Sequence, residues 1–286
     1  MESLHVDGLT LCFPAEERAA AELVRQACAA SIPLICNSWG MATPQDVRVY
    51  IITSSWPRAM FHATPWRWRP VMVVSLPVWY PRGRRLWRIA GGWQQQLGQR
   101  RVVCVKPPQL LAQSTSSPGD RLFIREDDPE AKVQQITCHE LTHAFMAHLK
   151  LPSWLNEGLA MVTTERLAAK PMVRQDSLAL LEQHGELEGS LSEQAARPGG
   201  MDAVVALYAR GYWRTRYLEE TQPGLLKTLL AVPRAPRSWD SDIAAACNAC
   251  RKPCWPVEDA TLVTYFGQQK KQQDSIAAAA QEVRDE

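Results

Sequence analysis

Cys138-His139-Glu140-Leu141-Thr142-His143 sets two histidines four residues apart with a glutamate beside the first. On a helix, an i, i+4 pair brings both imidazoles to one face, a turn apart, where each can offer a nitrogen to the same Zn²⁺. Glu140 lies about 100° round the helix from His139 and can reach a metal-activated water without ligating the ion. Zinc lowers that water's pKa, and a carboxylate beside it accepts the proton during attack on a carbonyl. The chain has six His, so the pattern arises by chance in only roughly 1 in 100 such chains. A third ligand is available in Trp154-Leu155-Asn156-Glu157-Gly158-Leu159-Ala160. If the first helix runs seven residues past His143, it extends roughly 10 Å. After a turn at Leu151-Pro152-Ser153, with Ser153 as cap, a second helix climbs back roughly 6 Å by Glu157. An antiparallel pair therefore brings Glu157 to the imidazoles, and the small Gly158 and Ala160 permit close approach. The alternative is a surface carboxylate in a first turn, favoured there by the helix dipole.

His-Glu-Leu-Thr-His followed by Trp-Leu-Asn-Glu-Gly-Leu-Ala resembles the gluzincin metallopeptidases. The second segment is similar to M1-type aminopeptidases and to the smaller bacterial peptidase MA-like proteins, and the short gap from His143 to Glu157 fits the smaller group better. The resemblance covers residues 131–218. It implies one catalytic Zn²⁺ held by His139, His143 and Glu157, with peptide-bond hydrolysis driven by Glu140 as base. The family pattern includes Tyr-x-x-Gly leading into an aromatic-rich helix. Tyr208-Ala209-Arg210-Gly211 matches it, which makes Tyr208 the stabiliser of the tetrahedral oxyanion and Tyr212 the reserve; the alternative is a Tyr208 packed in its helix core. No Gly-x-Met-Glu-Asn-like segment is present to hold a free amino group, so an endopeptidase or a protein-processing enzyme fits at least as well as an aminopeptidase. Met161 stands where thermolysin-like enzymes carry a further acid, which leaves Asn156 among the candidates for orienting the imidazoles.

A second constellation is Cys247-x-x-Cys250-x-x-x-Cys254. Three closely spaced cysteines can be buried thiols on one helix face, a metal site lacking a visible fourth ligand, or a redox pair. Cys138 reads as core.

The whole chain is close to neutral, with 32 Lys+Arg against 30 Asp+Glu, and its 46% apolar and 22% charged residues are ordinary for a globular protein. The total conceals a division. From residue 47 to 119 there is no acid, and those 73 residues carry ten Arg, one Lys and six of the 11 Trp. That stretch holds +11 and the remainder −9, out of a net +2. Basic residues interleaved with aromatics suit an anionic surface, an acidic peptide substrate beside the zinc site, or single-stranded nucleic acid. They also suit internal docking of the basic half on the acidic half. A binding or regulatory protein acting through this Arg/Trp-rich face is thus the rival to the enzyme.

The elements that must position the site follow from periodicity. A helix is expected over 16–30, and strands over 47–52, 71–77, 101–105 and 121–125, the last of which could pair with extended peptide. From Asp128 the period becomes helical: Asp128 caps, Pro129 suits the first position, and Val133, Ile136, Leu141 and Phe145 form a stripe. Further helices are expected over 178–184, 201–220, 224–231 and 243–249, and beyond 267 a polar helix or frayed tail. The fold class is α+β: a small mixed sheet with a flanking helix, then a mostly helical zincin-like half. We divide it at 1–128, 129–232 and 233–286. The first residues lack a basic n-region and apolar stretch, and no run of about 18 apolar residues occurs. Neither a secretory signal nor a membrane-spanning helix is therefore expected, the chain reads as cytoplasmic, and its eight Cys read as thiols or ligands rather than a disulfide framework.

Overall fold

Asp7 and Gly8 both adopt positive φ, 45° and 85°, as a tight type I′ turn requires, and they close the first hairpin. The computed structural model describes residues 1–113, 118–183, 200–232, 238–249 and 255–285. Its sheet has five strands: β1 (Glu2–Val6), β2 (Leu9–Phe13), β3 (Val47–Ile51), β4 (Gly92–Leu97) and β5 (Arg100–Val105). The order is β1-β2-β3-β5-β4, with parallel pairing of β3 to both β2 and β5 and an antiparallel hairpin at each side. The architecture is the mixed-sheet α+β expected. β3 and β5 read as nearly continuous apolar runs because both faces are covered. Val49, Ile51, Val103 and Val105 face the main core, while Tyr50, Val102 and Cys104 face a second, smaller cluster with Trp56 and Met60.

The main face is covered by α1 (Arg18–Trp39) and, later in the chain, α6 and α7. α1 runs nine residues beyond the expected end at 30, through Pro33, and stops at Gly40, whose left-handed φ of 69° lets its N–H reach the Cys36 carbonyl at 2.9 Å. The Ala15–Trp39 segment is, among the described residues, the one helical stretch long and apolar enough to cross a membrane, which the run-length reading missed. In this fold Val24, Cys28, Ile32, Ile35 and Trp39 point into the core, and Trp39 Nε1 donates to Thr163 Oγ1 on α7 at 2.8 Å.

Two expected strands are corrected. Residues 71–77 belong to a helical excursion between β3 and β4, made of α2 (Trp56–Ala63), a 3₁₀ turn (Trp66–Trp68), α3 (Arg69–Val74) and α4 (Leu76–Ile89). Pro70 and Pro77 sit in first helical turns, where the missing N–H costs nothing, and a short apolar run carries no period of its own. Residues 121–125 leave a 3₁₀ turn (Pro118–Arg121) and make one isolated antiparallel bridge, Phe123 to Val173, outside the sheet. β1, β2 and β4 were not expected, although Asp-Gly between apolar runs is a hairpin signal.

The helical part follows as α5 (Pro108–Ala112), α6 (Pro129–Met146), α7 (Ser153–Ala168), α8 (Ala179–Gln183), α9 (Gly200–Thr221), α10 (Leu225–Leu230), α11 (Trp239–Ala249) and α12 (Asp259–Asp285). One hydrophobic core runs from Val6 on β1 to Phe266 on α12. α12 is tied to α9 by Trp213 against Phe266 and by the Arg210 guanidinium, buried at 4% exposure, on Asp259 at 2.8 Å. Removing one partner of a buried pair leaves a charge poorly compensated. Asp259→Ala should therefore lower unfolding stability by about 1–3 kcal/mol, read as a shift in urea midpoint at unchanged slope.

Candidate metal centre

α6 begins as its sequence dictates: the Asp128 side chain accepts the Glu130 N–H at 2.9 Å, with Pro129 at the first position. Thr137 and Thr142 are buried in it, each donating to the carbonyl four residues back, which satisfies the hydroxyls inside the packed helix. Val133, Leu141 and Phe145 are buried as the stripe required, with Ile136 packed alongside. α6 ends at Met146, a 3₁₀ turn takes Ala147–Leu149, and Lys150 reverses the chain at φ 49°. Pro152, not Ser153, occupies the capping position of α7; Ser153 is its first helical residue and makes no capping bond.

α7 folds back on α6 and carries Glu157 to the imidazoles. His139 Nε2 and His143 Nε2 are 3.1 Å apart, and Glu157 Oε2 lies 3.4 Å from each. Two atoms bound to one tetrahedral zinc at about 2.0–2.1 Å stand about 3.3–3.4 Å apart, so the three edges suit such an ion. Glu157 Oε2 is buried without a protein hydrogen-bond partner, and so is His143 Nδ1. A buried carboxylate oxygen left in that state is costly, and a cation satisfies it. Two imidazoles and a carboxylate, converging within 4.8 Å of one another, are a donor set zinc accepts. The surface-carboxylate alternative for Glu157 fails, since the residue is only 4% exposed.

The electrostatics point the same way. Burial alone would lower the His143 imidazole, but the Glu157 carboxylate against it, with Glu140 and the Asn156 side chain adding, pushes it up to about 9. Burial would raise Glu157, yet His143 and His139 hold it well below the usual carboxylate range. The pocket thus favours positive charge. Glu140 is raised, first by burial and then by Glu157, against the opposing pull of the two imidazoles. A carboxylate raised in this way is a better proton acceptor than one in water.

Tyr208 is also brought to the site. α9 packs across α7, and the Tyr208 hydroxyl meets the Glu157 carboxylate; burial first, then Glu157 and Glu140, hold the phenol well above its usual range, so it stays a donor. Tyr212 does not join it: its hydroxyl donates to Glu165 at 2.7 Å inside the core. Gly158, expected to permit the approach of α7 to α6, instead permits that of α9. A Cβ on Gly158 would lie 2.1 Å from Thr215 Oγ1 and 2.3 Å from the Gly211 carbonyl oxygen, and one on Gly211 would lie 2.4 Å from the Trp154 carbonyl oxygen. Gly158 therefore admits α9, and Gly211 of Tyr-x-x-Gly is the matching contact. Gly92, at the start of β4, does the same for α6: its Cβ would meet the Cys104 carbonyl oxygen at 2.8 Å and Glu140 Cγ at 3.1 Å.

The second constellation falls away as a set of free thiols. Cys247 is buried on α11 and disulfide-bonded, while Cys250 and Cys254 lie outside the described residues. Cys138 is core, as expected, and burial pushes its thiol up to about 11. Compared with protein-family models and with curated proteins, the chain finds no match.

Proposed function

We propose that this protein is a zinc metallopeptidase of gluzincin type. The observation that carries the reading is the buried triangle of His139, His143 and Glu157 with an unpartnered carboxylate oxygen at one corner, flanked by Glu140 from α6 and Tyr208 from α9. Zinc bound there supplies Lewis-acid polarisation and an acidified water. Glu140, raised by its burial and next to His139, accepts the water's proton as the water attacks and returns it to the leaving amine. Tyr208, kept protonated, donates to the developing oxyanion. The position expected for a peptide-pairing strand at 121–125 passes to β4, the edge strand on the side of the site, whose Gly92 adjoins Glu140; an extended peptide laid along its outer edge would run past the base. A cytoplasmic location is part of the same proposal. Against it stands the Cys247 disulfide, a bond that persists in oxidising compartments.

Metal analysis tests the reading. Purified protein should carry one zinc per chain, a chelator should abolish cleavage of a peptide library, and zinc should restore it. Protein that binds no stoichiometric metal after zinc dialysis sinks the proposal. Tyr208→Phe should keep the zinc and lower kcat by about 10²–10³-fold, the cost of one oxyanion donor; an unchanged kcat would return Tyr208 to a packing role.

A further inference from the structure

Among the described residues, the excursion between β3 and β4 carries most of the large apolar side chains left in solvent. Nine of the twelve exposed large hydrophobic side chains among the described residues fall between Phe61 and Tyr80, led by Val74 at 82% and Trp66 at 74% exposure. Scattered surface hydrophobics need no explanation, but concentration on one short segment marks an interaction site. The inner side of the same segment is firmly built. Trp56 is buried against the sheet, stacks on Tyr80 at 5.6 Å and meets Trp79 edge-on at 5.8 Å, while Trp79 Nε1 donates to the Met72 carbonyl at 2.8 Å. Between this packing and β4 lies an apolar groove of ≈ 530 Å³, bordered by Trp68, Val71, Met72, Trp93 and Leu97.

Charge specifies the occupant. Arg58, Arg67, Arg84 and Arg88 are exposed on the excursion, and no Asp or Glu occurs from 47 to 119 to pair with them. The sheet of this stretch packs on the helical part through apolar contacts; among the described residues its ion pairs are Arg48 and Arg100 on Asp46, at 3.2 and 3.1 Å, and none reaches an acid of the helical part. Tryptophans beside arginines, with Val73-Val74 exposed among them, match the layering of a membrane interface, where aromatic rings sit at headgroup depth, aliphatics reach the acyl boundary and cations meet lipid phosphates. With six residues in α3 and 14 in α4, the helices are short of the roughly 20 needed to span, so they would lie in the interface. We propose that the α2–α4 excursion docks this protein on an anionic lipid surface, a role independent of the zinc reading.

Flotation of the full-length protein with vesicles tests it. The protein should float with phosphatidylcholine vesicles containing about 30% phosphatidylglycerol, and much less with phosphatidylcholine alone. Arg84→Gln and Arg88→Gln should each weaken partitioning about fivefold at low salt, the equivalent of about 1 kcal/mol per cation at an anionic surface. Val73→Asp/Val74→Asp, at positions already in solvent, should weaken it at least about tenfold while thermal stability and zinc content stay unchanged. Absence of flotation overturns the proposal, as does flotation that Val73→Asp/Val74→Asp leaves intact. Concentration-dependent dimerisation that this double variant abolishes, without vesicle binding, assigns the face to a second copy instead. Retention on single-stranded DNA without vesicle binding assigns it to nucleic acid.

Discussion

Glu140→Gln should abolish peptide cleavage while leaving the zinc in place. The amide is nearly isosteric and lies beside the ligand triangle rather than in it, so His139, His143 and Glu157 keep their 3.1–3.4 Å edges. What it loses is the ability to accept a proton. General-base removal costs about 10²–10⁴ in kcat, and the upper part of that range is expected here because Glu140 serves twice, first taking the water's proton and then returning it to the amine. KM should change little. His143→Ala makes the contrast, since it should lose metal and activity together. Full activity in Glu140→Gln would remove the mechanism even if zinc were bound. Loss of zinc in Glu140→Gln would instead make Glu140 a structural support of the site.

The second large effect is expected at two residues that carry no side chain. Gly158→Ala puts a methyl 2.1 Å from Thr215 Oγ1 and 2.3 Å from a backbone oxygen of α9, and Gly211→Ala puts one 2.4 Å from a backbone oxygen of α7. Side-chain overpacking typically costs 1–3 kcal/mol; here the obstacle is backbone on both helices, so about 3 kcal/mol or more is expected. Because Glu157 adjoins Gly158 and Tyr208 sits one turn before Gly211, separating the helices also displaces a ligand from the imidazoles. Zinc affinity should then fall by about 10–100-fold. Thr215→Ala should fail to rescue Gly158→Ala, since the Gly211 oxygen remains. Gly267→Ala is a control of opposite sign: it lies inside α12 with nothing within 4 Å of the added methyl and should stabilise by about 0.5–1 kcal/mol. Denaturant midpoints and competitive zinc titration read both outcomes, and a neutral Gly158→Ala would refute the close-contact account.

The chemistry-bearing helices were legible because their signals are local. Asp128-Pro129 marks a helix start, the apolar stripe from Val133 to Phe145 sets its face, and a spacing of four sets His143 over His139. The helix rise alone brought Glu157 within reach. Strands were harder. β4 reads Gly-Trp-Gln-Gln-Gln-Leu and owes its conformation to pairing with β5, which no window on the sequence contains. The run at 71–77 shows the converse: valines suited to a strand became helix because no neighbouring strand supplied a ladder and two prolines favoured helix starts.

The charge map divided in the same way. That residues 47–119 lack acid was plain in the sequence, but whether their arginines would be consumed internally depended on where Asp and Glu came to rest in three dimensions. By itself the sequence determined the vocabulary of the proposed site: two imidazoles on one face, a carboxylate beside them, a second carboxylate on the following helix and a tyrosine before a glycine. Spacing along a helix is a geometric constant, so that much needs no folding information. The tertiary structure decided which tyrosine reaches the site, which strand borders it, and that Gly158 and Gly211 meet. Those are contacts between segments distant in sequence, fixed by the removal of side-chain volume where two backbones cross.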